Sequence, residues 1–179
     1  MDTTTLAKLI CLALGTAGLA FLSRASLASP GSHGFYRFFG WVAILCLALL
    51  NADFWFRAPF GWHQIVSWLL LTISAILVIS GVRLLKGRGA PNARRDDVPL
   101  VALEKTTTLV RTGAYRYIRH PLYSSLLFLA WGIFFKAPSW LGGLLALAAS
   151  LFLTATARVE ETENLRYFGQ PYQEYMQKT

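Results

Sequence analysis

The chain has 179 residues, of which 55% are hydrophobic and 15% charged, and its mean hydropathy is +0.45. Soluble globular chains carry about 25% charged and about 45–50% apolar residues. The composition therefore excludes a disordered tail, a small disulfide-rich secreted scaffold and an ordinary soluble domain. Because a domain usually takes about 100–200 residues, the sequence predicts one integral membrane domain over residues 1–179.

The net charge is +8, from 17 Lys and Arg against 9 Asp and Glu. Membrane proteins often carry such an excess in cytoplasmic loops biased toward Lys and Arg. The basic residues lie mostly beside apolar runs rather than in a basic domain of their own, so no nucleic-acid partner is expected. Cys11 and Cys46 lie inside apolar runs without a ligand partner, so the sequence predicts neither a metal site nor a disulfide framework.

Five apolar runs are candidates for membrane-spanning helices, and together they predict an all-α bundle. They cover residues 6–22, 38–56, 65–85, 122–135 and 141–157. The first run is interpreted as a retained span rather than a cleavable signal peptide, because Asp2 and three threonines precede it in place of a basic start. Crossing ~30 Å of hydrocarbon takes about 20 helical residues. The fourth run, at about 21 Å of helix, is short for this crossing.

The charges predict the topology. Residues 86–120 contain eight basic side chains: Lys86, Arg88, Arg94, Arg95, Lys105, Arg111, Arg116 and Arg119. Such a segment is expected to face the cytoplasm, which places the N-terminus outside and the tail, residues 158–179, inside. The chain then divides into three N-terminal spans, residues 1–85, and a half with two polar clusters, residues 86–179. These clusters are expected to meet at one membrane face.

The first cluster, residues 109–123, concentrates polar and aromatic groups before the fourth run. Pro121 fits the first turn of a helix, where its missing N–H costs nothing. Arg119 and His120 are therefore predicted at the membrane surface beside the helix start. Interfacial anchoring of aromatic and arginine side chains is the alternative interpretation.

The second cluster, Arg158, Glu160 and Glu161, closes the last apolar run. Adjacent carboxylates at a membrane border are costly unless paired, and ionisable groups there often mark function. At a helix C-terminus they also oppose the macrodipole, so Arg158, Arg119 or a bound cation is expected to compensate. A solvated helix end is the alternative. The two clusters together suit a ligand with a positive charge and an aromatic base, as in S-adenosylmethionine, without singling it out.

Two stretches resemble a known family. Residues 113–123, G-A-Y-R-Y-I-R-H-P-L-Y, resemble the G-x-Y-x-x-x-R-H-P-x-Y motif of the isoprenylcysteine carboxyl methyltransferase family. Residues 160–175 are similar to the E-E … F-G-x-x-Y-x-x-Y ending of that family. The motifs occur in the family's order, and the similarity covers residues 107–179. Phospholipid N-methyltransferases and other small membrane methyltransferases share this back half.

The resemblance implies a multi-span helical enzyme that holds S-adenosylmethionine near the cytoplasmic surface and receives a lipophilic acceptor from the bilayer. Carried over position by position, it implies nine cofactor-binding residues: Val110, Gly113, Tyr115, Arg119, His120, Pro121, Tyr123, Glu160 and Glu161. The sequence departs from many relatives at Asn164, where they have an apolar residue. This departure leaves the cofactor motif intact and bears on the packing of the tail.

The expected reaction is displacement at the sulfonium methyl by a nucleophile on a lipid-like or prenylated acceptor. An isoprenylcysteine-type carboxylate is the first candidate, since it is ionised at neutral pH and needs no base. A phospholipid amine or a lipophilic thiol, which would have to lose a proton, is the alternative. A non-catalytic membrane protein that retains the scaffold is an alternative of another class.

Two candidate catalytic residues follow from this reaction. Arg158 is expected to hold an anionic acceptor, and Glu161 to orient the acceptor or take a proton from it. The short chain with its minimal motif-bearing half looks bacterial, so a bacterial inner membrane is the expected location.

Overall fold

The computed structural model describes residues 2–92, 98–99 and 105–179. These residues form seven α-helices, two 3-10 turns and no β-strand, which confirms the predicted all-α class. The helices are α1 (Thr3–Leu22), α2 (Arg24–Leu27), α3 (His33–Leu50), α4 (Trp62–Arg88), α5 (Pro121–Phe134), α6 (Trp140–Phe168) and α7 (Gln170–Lys178). The 3-10 turns are Ala52–Phe54 and Gly113–Arg116.

Four helices, α1, α3, α4 and α6, are long and apolar enough to cross a membrane. This result confirms four of the five predicted spans by length and composition. The helix at the fourth run, α5, begins at Pro121 as predicted and has 14 residues, about 21 Å of helix. A fifth crossing through α5 stays a prediction.

The second predicted span is displaced in the structure, because α3 begins and ends earlier than residues 38–56. The Ser32 side chain caps its N-terminus by accepting a hydrogen bond from the Phe35 backbone N–H. At its other end, the Asn51 side-chain amide donates to the Ile133 carbonyl of α5, with an N···O distance of 2.8 Å. Residues 52–56 therefore lie beyond the helix.

The last helix, α6, continues well past the predicted end of its span at residue 157. Residues 158–168 contain neither Gly nor Pro, the two residues that most disfavour a helix interior. Gly169, with a φ of +63°, ends α6. Glu160 and Glu161 therefore lie inside the helix, and the expectation that they close it against its macrodipole was wrong. The predicted polar tail also contains α7, with Pro171 in its first turn.

Two long-range contacts show which helix ends lie on the same face of the bundle. On one face, which we call the pocket face because a pocket lined by Glu163 opens there, His33 at the start of α3 contacts Glu163 near the end of α6. On the opposite face, Lys8 of α1 contacts Asp53 after α3. This grouping agrees with the predicted alternation of helix directions, and which face meets the cytoplasm stays a prediction. Arg94 and Arg95, which contributed to that prediction, lie outside the described residues.

The core lies between α3, α5 and α6. Its centre contains small residues that are fully buried, Ala130, Ala146 and Ala149, together with Leu47 and Leu153. Small side chains let membrane helices approach closely. This packing fixes the relative positions of the three helices, whose ends on the pocket face carry the candidate site. The first helix, α1, has no buried residue.

Candidate active site

The pocket lies where five segments meet: the end of α4, residues 105–120, the start of α5, the second half of α6, and α7. The space between its lining side chains is about 740 Å³, a figure that includes open solvent. It is lined by Leu85, Thr106, Thr108, Leu109, Val110, Tyr115, Arg119, His120, Leu122, Tyr123, Glu160, Glu163, Asn164, Phe168, Tyr172 and Tyr175.

Six of the nine predicted cofactor-binding residues line this pocket. They are Val110, Tyr115, Arg119, His120, Tyr123 and Glu160. Gly113 lies outside the lining and has a φ of +61°, and a Cβ there would lie 2.7 Å from Leu84 Cδ1. Pro121, the first residue of α5, is fully buried. These two residues therefore shape the backbone around the pocket, because Gly tolerates this φ and close approach and Pro suits a helix start.

Glu161 lies beside the pocket, in a groove between α5 and α6. This groove shares Arg119, His120 and Tyr123 with the pocket. The Arg119 Nη1 donates to Glu161 Oε1 at 2.9 Å, so Arg119 is the cation that compensates this carboxylate. Arg158 lies in a different groove, between α3 and α6. The structure thus brings Glu161 to the candidate site and leaves Arg158 apart from it.

His120 lies between the two adjacent carboxylates of α6. Its Nδ1 is 3.7 Å from Glu160 Oε2, and its Nε2 is 3.3 Å from Glu161 Oε1. Neighbouring residues of a helix point about 100° apart, which sends Glu160 into the pocket and Glu161 into the groove. The His120 ring also stacks on Tyr123, with 5.5 Å between ring centroids. His120 therefore connects the two cavities.

One wall of the pocket contains three tyrosines: Tyr115 of the second 3-10 turn, and Tyr172 and Tyr175 of α7. Burial raises the pKa of each phenol above its usual range, so all three stay neutral at physiological pH. The Tyr175 hydroxyl donates to the Tyr115 carbonyl with an O···O distance of 2.6 Å. The Arg111 guanidinium donates to the Pro171 carbonyl. These bonds hold α7 against residues 111–115 and complete the wall.

Ten residues of the lining were not among the predicted site residues, and two of these, Glu163 and Asn164, are polar side chains of α6. The Asn164 side-chain nitrogen lies 3.4 Å from Glu160 Oε1, so the departure from the family falls at the pocket itself. Both residues follow Glu160 at spacings of three and four, which place side chains on one face of a helix. This signal was missed because α6 was expected to end before them.

The pocket combines two carboxylates, several aromatic rings and the Arg119 guanidinium. Carboxylates and ring faces stabilise cationic groups, and ring faces also stack on aromatic bases. A guanidinium binds a carboxylate. The arrangement therefore suits one small ligand that carries a cation, an aromatic base and an anion.

The sequence model of the phospholipid methyltransferase family matches residues 62–171. The chain belongs to this family. The match runs from the start of α4 into α7 and includes the first motif and residues 160–171 of the second, so the methyltransferase prediction from those motifs is confirmed. With its four apolar helices, this family member is an integral membrane methyltransferase. Neither a curated protein nor a solved structure gives a significant match.

Proposed function

We propose that this protein transfers a methyl group from S-adenosylmethionine to the amine of a phospholipid. The pocket carries the proposal, since it joins residues of both motifs in a chain of the phospholipid methyltransferase family. His120 and Tyr123 come from the first motif, and Glu160 comes from the second.

The residues of the pocket fit S-adenosylmethionine. Its sulfonium and amino groups are cations, which the Glu160 and Glu163 carboxylates favour. Phe168 and Tyr172, whose rings lie 6.4 Å apart at 21°, offer faces for the adenine base. The Arg119 guanidinium suits the carboxylate of the ligand. When bound, the cofactor supplies an electrophilic methyl group to the acceptor.

The groove between α5 and α6 supports a lipophilic acceptor. One part of it is apolar, with Leu127, Leu153 and Ala157, and its other end carries Arg119 and Glu161. An acyl chain lying along the apolar part would present its headgroup to the charged end. Since the groove shares residues with the pocket, the headgroup would then lie next to the bound cofactor.

The charges at the end of the groove favour a phospholipid amine. A zwitterionic headgroup places its phosphate near the Arg119 guanidinium and its amine near the Glu161 carboxylate. The family match also favours a phospholipid, so we rank the amine above an isoprenylcysteine-type carboxylate and a lipophilic thiol. An ammonium group has to lose a proton before it attacks, and we propose that Glu161, at the charged end of the groove, accepts it.

We further propose that the pocket face meets the cytoplasm of a bacterial cell. Lys86, Arg88, Arg111 and Arg116 on the segments around the pocket support this orientation through the preference of basic loops for the cytoplasmic side. We treat residues 1–179 as one domain, because α3 of the N-terminal half shares a core with α5 and α6 of the other half.

The test uses the purified protein with methyl-labelled S-adenosylmethionine and three acceptors: phosphatidylethanolamine vesicles, a prenylcysteine and a lipophilic thiol. Label in the extracted phospholipid supports the proposal, and the His120→Ala variant should incorporate far less. Label only as a base-labile ester of the prenylcysteine would replace the amine by a carboxylate. Cofactor binding without transfer to any acceptor would indicate a non-catalytic protein that retains the scaffold.

A further inference from the structure

Two buried basic side chains of α3 lie behind the pocket. His33, the first residue of this helix, is 0% exposed, and Arg37, one turn later, is 1% exposed. Neither residue lines the pocket, and neither lies within residues 62–171, which the family model matches. His33 nevertheless contacts Glu163, a carboxylate of the pocket lining, and Arg37 lies one helical turn from His33.

His33 binds both oxygens of the Glu163 carboxylate. Its ring Nδ1 lies 2.5 Å from Oε2, and its backbone N–H donates to Oε1 at 3.1 Å. Glu163 therefore also satisfies one of the free N–H groups at the start of α3, where a negative charge is favoured. A carboxylate has about four lone-pair sites. Those not used by His33 remain for a ligand, because Glu163 lines the pocket.

Arg37 acts on the other pocket carboxylate. Its guanidinium lies over the Trp41 ring, 4.7 Å from the centroid, and its positive charge favours the Glu160 carboxylate together with the larger contributions of His120 and His33. Glu160 and Glu163 lie three residues apart on α6, so they share one side of the helix. Like charges this close repel each other, and removing them from water adds a further penalty. His120 and the basic groups of α3 together oppose both effects.

We propose that His33 and Arg37 are positioning residues that orient the Glu163 and Glu160 carboxylates toward the cofactor pocket. This inference rests on the proposed function, because it takes the ligand of the pocket to be cationic. It extends the site beyond the motif-bearing half, residues 86–179. The N-terminal half then contributes to cofactor binding through α3.

A pair of substitutions at His33 separates positioning from packing. Both His33→Asn and His33→Ala remove the ring, but asparagine keeps a side-chain N–H near the place of Nδ1. We expect His33→Ala to weaken S-adenosylmethionine binding about tenfold and His33→Asn by less than about threefold, within the range of coupled contacts. Calorimetric titration of the full chain in detergent measures both, and thermal unfolding reports the stability of each variant.

A double-mutant cycle tests whether Arg37 acts through Glu160. Arg37→Gln should lower the cofactor affinity about tenfold in the wild-type background and less than about threefold in the Glu160→Gln background. Arg37→Lys, which keeps the charge, should retain most of the affinity. A role in folding alone predicts the same fold-change in both backgrounds and no rescue by lysine. If Arg37→Gln does not fold, the lysine variant and the His33 pair decide.

The outcomes distinguish this inference from the proposed function. Wild-type affinity in His33→Ala, equal losses in the two His33 variants, or additive effects of Arg37 and Glu160 would overturn the inference alone, provided that the wild type binds S-adenosylmethionine and His120→Ala binds it poorly. A wild-type protein that does not bind the cofactor would overturn both.

Discussion

The two ends of α5 carry basic side chains in different surroundings. At the pocket face, His120 precedes the helix and contacts two carboxylates beside an open pocket. At the opposite face, Lys136 follows the helix and is 1% exposed. Its Nζ donates to Gln64 Oε1 at 3.1 Å and lies 3.4 Å from the centroid of the Trp68 ring.

The difference lies in what surrounds each charge. Burial lowers the pKa of Lys136, and packed protein groups, the Trp55 and Trp68 rings and the Gln64 amide, surround its ammonium. A cation after the C-terminus of a helix also complements the macrodipole. Lys136 therefore has a structural role, whereas Glu160 and His120 keep a side open to a ligand. A buried charge indicates a binding site here only where free space adjoins it.

The largest expected effect is a loss of turnover in Glu161→Gln, on the pocket side of the comparison. Glu161→Gln keeps the shape of the side chain and removes its charge and its capacity to take a proton. General-base catalysis contributes about 10²–10⁴-fold, so we expect turnover at saturating cofactor to fall about a hundredfold or more. The affinity for S-adenosylmethionine should change little, because this side chain faces the groove. Rate measurements and calorimetric titration of the same preparation separate the two quantities.

The matched control for this variant is Glu174→Gln, on the exposed surface of α7, where the carboxylate accepts a hydrogen bond from Gln170. Near-normal turnover is expected there, since exposed pairs of this kind contribute little. A Glu161→Gln enzyme as fast as this control would show that Glu161 has no catalytic role.

The second-largest expected effect is a loss of S-adenosylmethionine affinity in Glu160→Gln, rather than a loss of turnover. Glu160→Gln removes the carboxylate that faces the pocket beside His120 and Tyr123. A charge-assisted hydrogen bond contributes about 1.5–3 kcal/mol, which corresponds to roughly a 10- to 150-fold loss of cofactor affinity. Titration calorimetry measures the loss. The midpoint of thermal unfolding should stay close to wild type, and an affinity equal to that of Glu174→Gln would remove Glu160 from the site.

The smallest expected effect is a loss of stability in Lys136→Met, at the opposite face of the bundle. Lys136→Met keeps the apolar stem against the tryptophan rings but leaves Gln64 Oε1 without its donor. An unsatisfied buried acceptor costs about 1–3 kcal/mol, so the free energy of unfolding should fall by that amount. Denaturant unfolding in mixed micelles measures this change, and cofactor affinity should match the wild type. Reduced affinity with unchanged stability would break the comparison between the two ends of α5.

Consecutive residues determined much of this protein without tertiary information. The lengths of the apolar runs predicted an all-helical membrane chain, because a span needs a long uninterrupted apolar segment. Pro121 predicted the start of α5 through its fixed φ and missing N–H. The two motifs identified the family and selected Val110, Tyr115, His120, Tyr123 and Glu160, which the fold brings to one pocket.

Only the tertiary structure decided which charges meet. His33 and Glu163 are 130 residues apart, and nothing local to either residue indicates the other. The rotation of α6 against α3 and α5 decides that Glu160 faces the pocket, Glu161 the groove and Arg158 a separate surface. Packing of small buried residues such as Ala146 and Ala149 sets this rotation. Side-chain direction on a helix has meaning only relative to the neighbours against which it packs, and a single sequence does not contain those neighbours.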